Sequence, residues 1–212
     1  MFTVQTTDRQ HLPDVAACQF SCFPQSLATK LGKKYVEKTL EWFLVNPNRF
    51  LFHVMKDGVV AGYCGGFVPV KVGDGSSSGM LQYAFKEAVK GLMKNPLLLF
   101  HPEVRQHYPF LWMNIKRRIT GKVIPMQKEA SIVNTKLSYV GLVVIGVTAE
   151  YRGTGLSQVL MQEFEKRANT YNRNELVLSV KNNNSRAINA YRKSGWSIKK
   201  EQEKTFVMNK FI

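Results

Sequence analysis

Residues 147–160, VTAEYRGTGLSQVL, place a glycine-bearing turn between a β-type run and the first turn of an amphipathic helix. Such a junction aims unpaired backbone N–H groups and the positive end of a helix dipole at one point, where a pyrophosphate fits. Gly153 and Gly155 matter there because a missing side chain lets the backbone approach an anion closely and take positive φ. Neither the G-x-G-x-x-G fingerprint nor the G-x-x-x-x-G-K loop is present. Roughly thirty residues on, the stretch LSVKNNNSRAINAYRKSGWSI holds Asn184, Ala187, Tyr191, Gly195 and Trp196. Asn184 and Tyr191 are seven residues apart, two helical turns, so both can point at one ligand. Gly195 stands where a helix would stop with a left-handed residue, and Trp196 opens the next strand with a large apolar anchor. Taken singly, the turn is also compatible with a plain strand-to-helix connection, and Tyr191 with a tyrosine packed on a sheet.

Together and in this order, the two stretches resemble the Gcn5-related N-acetyltransferase (GNAT) superfamily. Arg152, Gly153, Thr154, Gly155, Leu156 and Ser157 look like its coenzyme A signature Q/R-x-x-G-x-G/A, with serine in the last small-residue position. Asn184, Ala187, Tyr191, Gly195 and Trp196 look like its second signature, N-x-x-A-x-x-x-Y-x-x-x-G-F/W. The resemblance is specific over residues 140–212 and architectural over residues 1–68. It implies an α/β fold with a mixed central sheet and helices on both faces, acetyl-CoA as co-substrate, and no metal. It further implies a pyrophosphate on the turn from Arg152 to Ser157, with Asn184 among the cofactor-binding residues. The pantetheine arm would lie along the strand ending at Val147 and the acyl thioester between splayed strands. A primary amine would attack directly, a backbone N–H would meet the oxyanion, and Tyr191 would protonate the departing thiolate as general acid. Many relatives carry a carboxylate on the strand before the turn, whereas this chain reads GLVVIGV over residues 141–147. An amine of free pKa about 10 must lose a proton before attack. A water chain, His53, His101, His107 and Glu103 are all open as the base.

The elements that must position these residues are legible in the hydrophobic spacing. A short strand is expected over residues 2–6, helices over 12–23 and 33–44, and strands over 50–55 and 59–68 joined at Asp57-Gly58, a hairpin signal. The GDGSSSG run at 73–79 reads as a flexible linker. Helical spacing follows at 80–95 and 103–119, with Pro96 and Pro102 as breaks. The remainder reads strand (137–147), helix (156–171), strand (175–180), helix (185–194) and two strands (196–199, 205–208). A single domain over residues 1–212 is expected, with a mainly helical insertion at about 70–135, beyond the family pattern, over the acceptor site.

The chain has 30 Lys and Arg against 15 Asp and Glu, a formal charge of +15, which attracts polyanions without choosing among them. Residues 86–128 interleave a basic excess with Phe85, Tyr108, Phe110, Leu111 and Trp112, which suits an anionic acceptor such as a nucleotide-linked amino sugar and equally a solvated basic face. No apolar run approaches the roughly 20 residues that span a bilayer, and residues 1–15 lack a signal-peptide pattern, so a cytoplasmic protein is expected. Cys18, Cys22 and Cys64 read as buried, reduced thiols. No nucleic-acid module is recognisable, and the expected partner is a small-molecule amine. Homodimers are common in the resembled family, so a homodimer is an expectation that rests on the resemblance. Two other classes stay open: an acyl-CoA-binding module without turnover, and a charge-driven peripheral membrane or nucleic-acid binder.

Overall fold

The computed structural model describes residues 1–70, 74, 76–106, 108, 112 and 138–212. Asp57 and Gly58 take positive φ, 51° and 80°, the conformation of a two-residue turn whose twist matches right-handed strands. They join β2 (Arg49–Lys56) to β3 (Val59–Phe67) as the expected antiparallel hairpin. With β1 (Thr3–Thr6), β4 (Tyr139–Val147), β5 (Glu175–Lys181), β6 (Ser197–Glu201) and β7 (Thr205–Phe211) they form one mixed sheet of order β1-β2-β3-β4-β5-β7-β6. Every neighbouring pair is antiparallel except β4 and β5.

Two core clusters lie on opposite faces, and the alternation of side chains along β2 and β3 sorts residues between them. Leu51 and Tyr63 pack with α1 (Leu12–Cys22) and α3 (Lys33–Glu41), and the short α2 (Leu27–Leu31) adjoins them. Phe50, Phe52 and Cys64 pack with α7 (Leu156–Asn169) and with Ile188 of α8 (Ser185–Lys193). Backbone is traded for aromatic bulk in this second layer, since a Cβ on Gly66 would lie 2.5 Å from the Phe50 ring and 2.7 Å from Phe164. Phe164 is fully buried, and a truncation there would remove about 3–5 kcal/mol.

Between β3 and β4 lie α4 (Ser76–Tyr83), α5 (Phe85–Lys94), a 3₁₀ turn (Pro96–Phe100) and α6 (Pro102–Gln106). They rest on the first layer: α5 contacts α2 and α3, and α4 contacts α3. The expected linker at 73–79 is corrected here, because α4 begins at Ser76. The expected helix at 80–95 is two helices that meet at Ala84. Of the expected helix at 103–119, residues 102–106 are helical, and most of the rest lies outside the described residues.

Candidate active site

Strands β4 and β5 start as parallel partners and then part. Tyr139 to Leu142 face Glu175 to Leu178 one by one, and no pairing follows, although β4 runs on to Val147 and β5 to Lys181. On its other side β4 keeps β3 as far as Val147, with a register shift between Gly65 and Gly66 that leaves Val143 as the extra residue where the strands separate. The result is a wedge-shaped cleft, narrow at Leu142 and open at Val147, one wall of which is backbone without a strand partner.

The glycine turn lies at the open end. Gly153 and Gly155 take φ of 82° and 86°, and Gly155 is the N-cap of α7 with no side chain closing the helix. A Cβ on Gly153 would meet nothing within 4 Å among the described residues. The N–H groups of residues 155–157 are not used by the helix, and its dipole supports a negative charge there. Leu156 turns its side chain into the core, fully buried, and leaves only its backbone for the turn, while Arg152, Thr154 and Ser157 are exposed. The Thr154 hydroxyl donates to the Tyr151 carbonyl at 2.7 Å. This is a cradle whose free donors suit a pyrophosphate.

Arg152 braces the turn. Its Nε donates to the Val147 carbonyl at 3.2 Å and its terminal nitrogen to the Cys22 carbonyl at 3.4 Å, which ties the end of α1 to the end of β4. Gly146 leaves room for that tie, since a Cβ there would fall 2.6 Å from the Tyr63 ring and 3.1 Å from the Cys22 sulfur. Cys18 and Cys22 are buried with sulfurs 3.9 Å apart, and Cys64 is buried and free. The Cys22 thiol is held below its ordinary value by the Cys18 hydrogen bond and by the positive charges of Arg152 and Arg186. Arg186, in the first turn of α8, was missed in the sequence; its positive charge, like that of Arg152, acts on the Cys22 thiol. Its signal was its place two residues after Asn184.

Asn184 caps α8 by accepting from the Ala187 N–H at 3.2 Å. At the other end Gly195 adopts φ 83°, its N–H reaching the Arg192 carbonyl at 3.0 Å and the Trp196 N–H reaching Tyr191 at 3.1 Å. That pair of bonds is a Schellman termination, which fixes the last turn. It carries Tyr191, whose ring stands 6.2 Å from that of Trp196 and packs against the core beneath α7 and α8. Burial pushes the Tyr191 phenol well up, with Cys64 adding in the same direction, so it is protonated at neutral pH.

The base candidates fall in different places. His53 is fully buried on the α1 face, its Nδ1 2.9 Å from the Thr7 hydroxyl and its ring 4.8 Å from that of His11. Its Nε2 has no partner among the described residues, and burial first, then His11, lowers its pKa. It sits on β2, two strands away from β4. His101 Nδ1 accepts from the Glu103 N–H at 3.3 Å, and the Glu103 carboxylate pairs with Lys181, at the open end of β5, at 2.9 Å. His107, Phe110, Leu111 and the basic residues 116–118, 122 and 128 lie outside the described residues. Among the described residues no group of three or more potential metal ligands occurs, and no helix is long and apolar enough to cross a membrane. A shallow depression lined by Asp8, Arg9, Asn46, Pro47 and Arg49 lies at the β1 edge, away from the cleft.

Residues 96–196 match the model of the acetyltransferase (GNAT) family. No curated protein matches the sequence. Among solved structures the chain is similar over its whole length to an acetyltransferase of the GNAT family from Streptococcus pneumoniae (TM-score 0.56, 14% identity, 99% of that chain). It is also similar to the ribosomal-protein-S18-alanine N-acetyltransferase of Escherichia coli (0.54, 15%, covering 100% of this chain and 94% of that one). A third is the PaiA N-acetyltransferase of Thermoplasma acidophilum in complex with coenzyme A (0.58, 11%, covering 100% of this chain and 99% of that one). At these identities the likeness is one of fold.

Proposed function

We propose, from the match of residues 96–196 to the GNAT family model and from the likeness of fold, that this chain is a GNAT acetyltransferase that transfers an acetyl group from acetyl-CoA to the primary amine of a small molecule by direct attack. The observation that carries this reading is the parting of β4 and β5 beside a left-handed glycine turn, with a protonated tyrosine on the neighbouring helix. Acetyl-CoA supplies the activated acyl group as substrate. The turn from Arg152 to Ser157 holds its pyrophosphate with backbone N–H groups, Arg152 and Arg186 add positive charge at the opening, and Val147 borders the pantetheine arm. Asn184 contributes through its capping of α8, which aims that helix at the cleft. Backbone N–H groups of the unpaired β4 edge meet the developing oxyanion, and Tyr191 gives its proton to the departing sulfur.

Among the described base candidates, Glu103 is tied to a strand that borders the cleft, through Lys181. The helical segment between β3 and β4 is proposed to cover the acceptor side, and its basic excess suits an anionic acceptor such as a nucleotide-linked amino sugar. A cytoplasmic location accords with this substrate class. The absence of any carboxylate from 141–147 favours, as a second reading, a module that binds acyl-CoA without turnover.

Isothermal titration with acetyl-CoA, followed by thiol release over a panel of amino sugars, nucleotide-linked sugars, polyamines and peptides, separates the two. Micromolar binding with thiol release on one acceptor class supports the enzyme. Binding without release on any acceptor supports the module, and no binding removes both.

A further inference from the structure

We propose that the exposed apolar turn at 97–100, together with the lysine-bearing face of α5, docks this protein on an anionic phospholipid bilayer. The proposal is independent of the acetyl-transfer reading. Met93, Leu97 and Phe100 are 77%, 76% and 76% exposed, and Trp112 is 67% exposed. Single exposed apolar residues are ordinary, but three large ones within the eight residues from Met93 to Phe100 are not.

The segment is held, not loose. Leu98 and Val104 are buried at 6% and 4%. On α5, Phe85, Ala88 and Gly91 face inward, with Gly91 so close to α2 that a Cβ would lie 2.5 Å from the Leu31 carbonyl oxygen. That packing turns Lys86, Lys90, Met93 and Lys94 outward; α5 ends at Lys94, and the 3₁₀ turn after Asn95 leaves Leu97 and Phe100 exposed. The aliphatic residues therefore protrude beside a row of ammonium groups.

Charge decides the partner. The two carboxylates of the segment are already neutralised, Glu87 by Lys90 at 2.8 Å and Glu103 by Lys181 at 2.9 Å. Lys86, Lys94 and Arg105 carry no ion pair among the described residues, and the whole chain is +15. A surface that presents leucine, methionine and phenylalanine beside lysines matches an interfacial anchor: the apolar groups enter the headgroup boundary and the lysine stems follow it outward. Apolar wedges can also enter a duplex between base steps, so nucleic acid is the competing occupant that the test separates.

The test is sedimentation of the full chain with large vesicles of phosphatidylcholine, alone or with one part in three phosphatidylglycerol, with tryptophan emission as a second readout. Trp42 and Trp196 are buried, so a change on binding reports Trp112. Expected are association with the anionic vesicles only, a blue shift on association, and an about tenfold loss in the double variant Leu97→Glu, Phe100→Glu, with acetyl-CoA affinity and Tm unchanged. The pair Lys90→Glu, Lys94→Glu should weaken association as well. The proposal is overturned by no association with anionic vesicles or by association that both double variants retain. It is also overturned if Leu97→Glu, Phe100→Glu spares vesicle binding and instead abolishes retention of a DNA duplex at the same salt, which would assign the patch to nucleic acid.

Discussion

Two buried side chains set opposite demands on protons. The Tyr191 phenol is raised by burial, so it is an acid and not a base at neutral pH. Tyr191→Phe keeps the ring against Trp196 and removes only the proton; kcat is expected to fall about a hundredfold with acetyl-CoA affinity nearly unchanged, read by thiol release and titration. His53 is the reverse case. Burial, helped by His11, lowers its pKa in the folded state, with Asp8 and Asp14 opposing. Above its unfolded value of about 6.5 both states are neutral and stability is full; as pH falls below that, the unfolded chain takes up a proton that the folded one resists, and stability declines. Melting curves between pH 7.5 and pH 5 should show that decline, and His53→Gln should flatten it. At this scale the motif residues were legible in the sequence, because Arg152 to Ser157, Asn184 and Tyr191 carry their spacing with them. The neighbours of His53 were not, since Thr7 is 46 residues away and only the β1–β2 register unites them. Arg186 was legible only as one more charge on a helix.

Among the elements, the glycine turn and the termination of α8 are the positions where one substitution should separate fold from site. Gly155→Ala places a side chain at φ 86° and should cost about 1 kcal/mol of stability while weakening acetyl-CoA binding several-fold, since the altered turn re-aims its N–H groups. Melting and titration on one variant measure both. Lys181→Ala should do the opposite. The pair with Glu103 is exposed and is worth at most about 1 kcal/mol, so Tm barely moves. If the segment between β3 and β4 orients the acceptor, KM for the acceptor rises. Strands and long helices were legible because their apolar periods run for two turns or more. The five residues of α2 are too short to show a period, and Ser76 to Gly79 were read as linker because serine and glycine disfavour helix, a preference that packing of α4 on α3 overrides. The break at Ala84 carries neither glycine nor proline to announce it.

At the scale of the whole molecule, the charge of +15 should draw the polyanionic acetyl-CoA from a distance, so kcat/KM for it is expected to drop several-fold between low and high salt while kcat changes less. Stopped-flow or steady-state assays over a salt series give that slope. The order of the sheet was only partly legible: helices packed on a sheet followed from the succession of elements and helices on both faces from the resemblance, whereas the parting of β4 from β5 is a matter of register, which no local pattern encodes. That parting has a mechanical side. The plate of β1 to β4 and the plate of β5 to β7 share a core cluster but only four backbone residue pairs, from Tyr139 and Glu175 to Leu142 and Leu178, so the backbone seam between them is short. A substrate lodged between the plates acts as a splint, and the amide protons of 139–142 and 175–178 should exchange with solvent more slowly once it is in place.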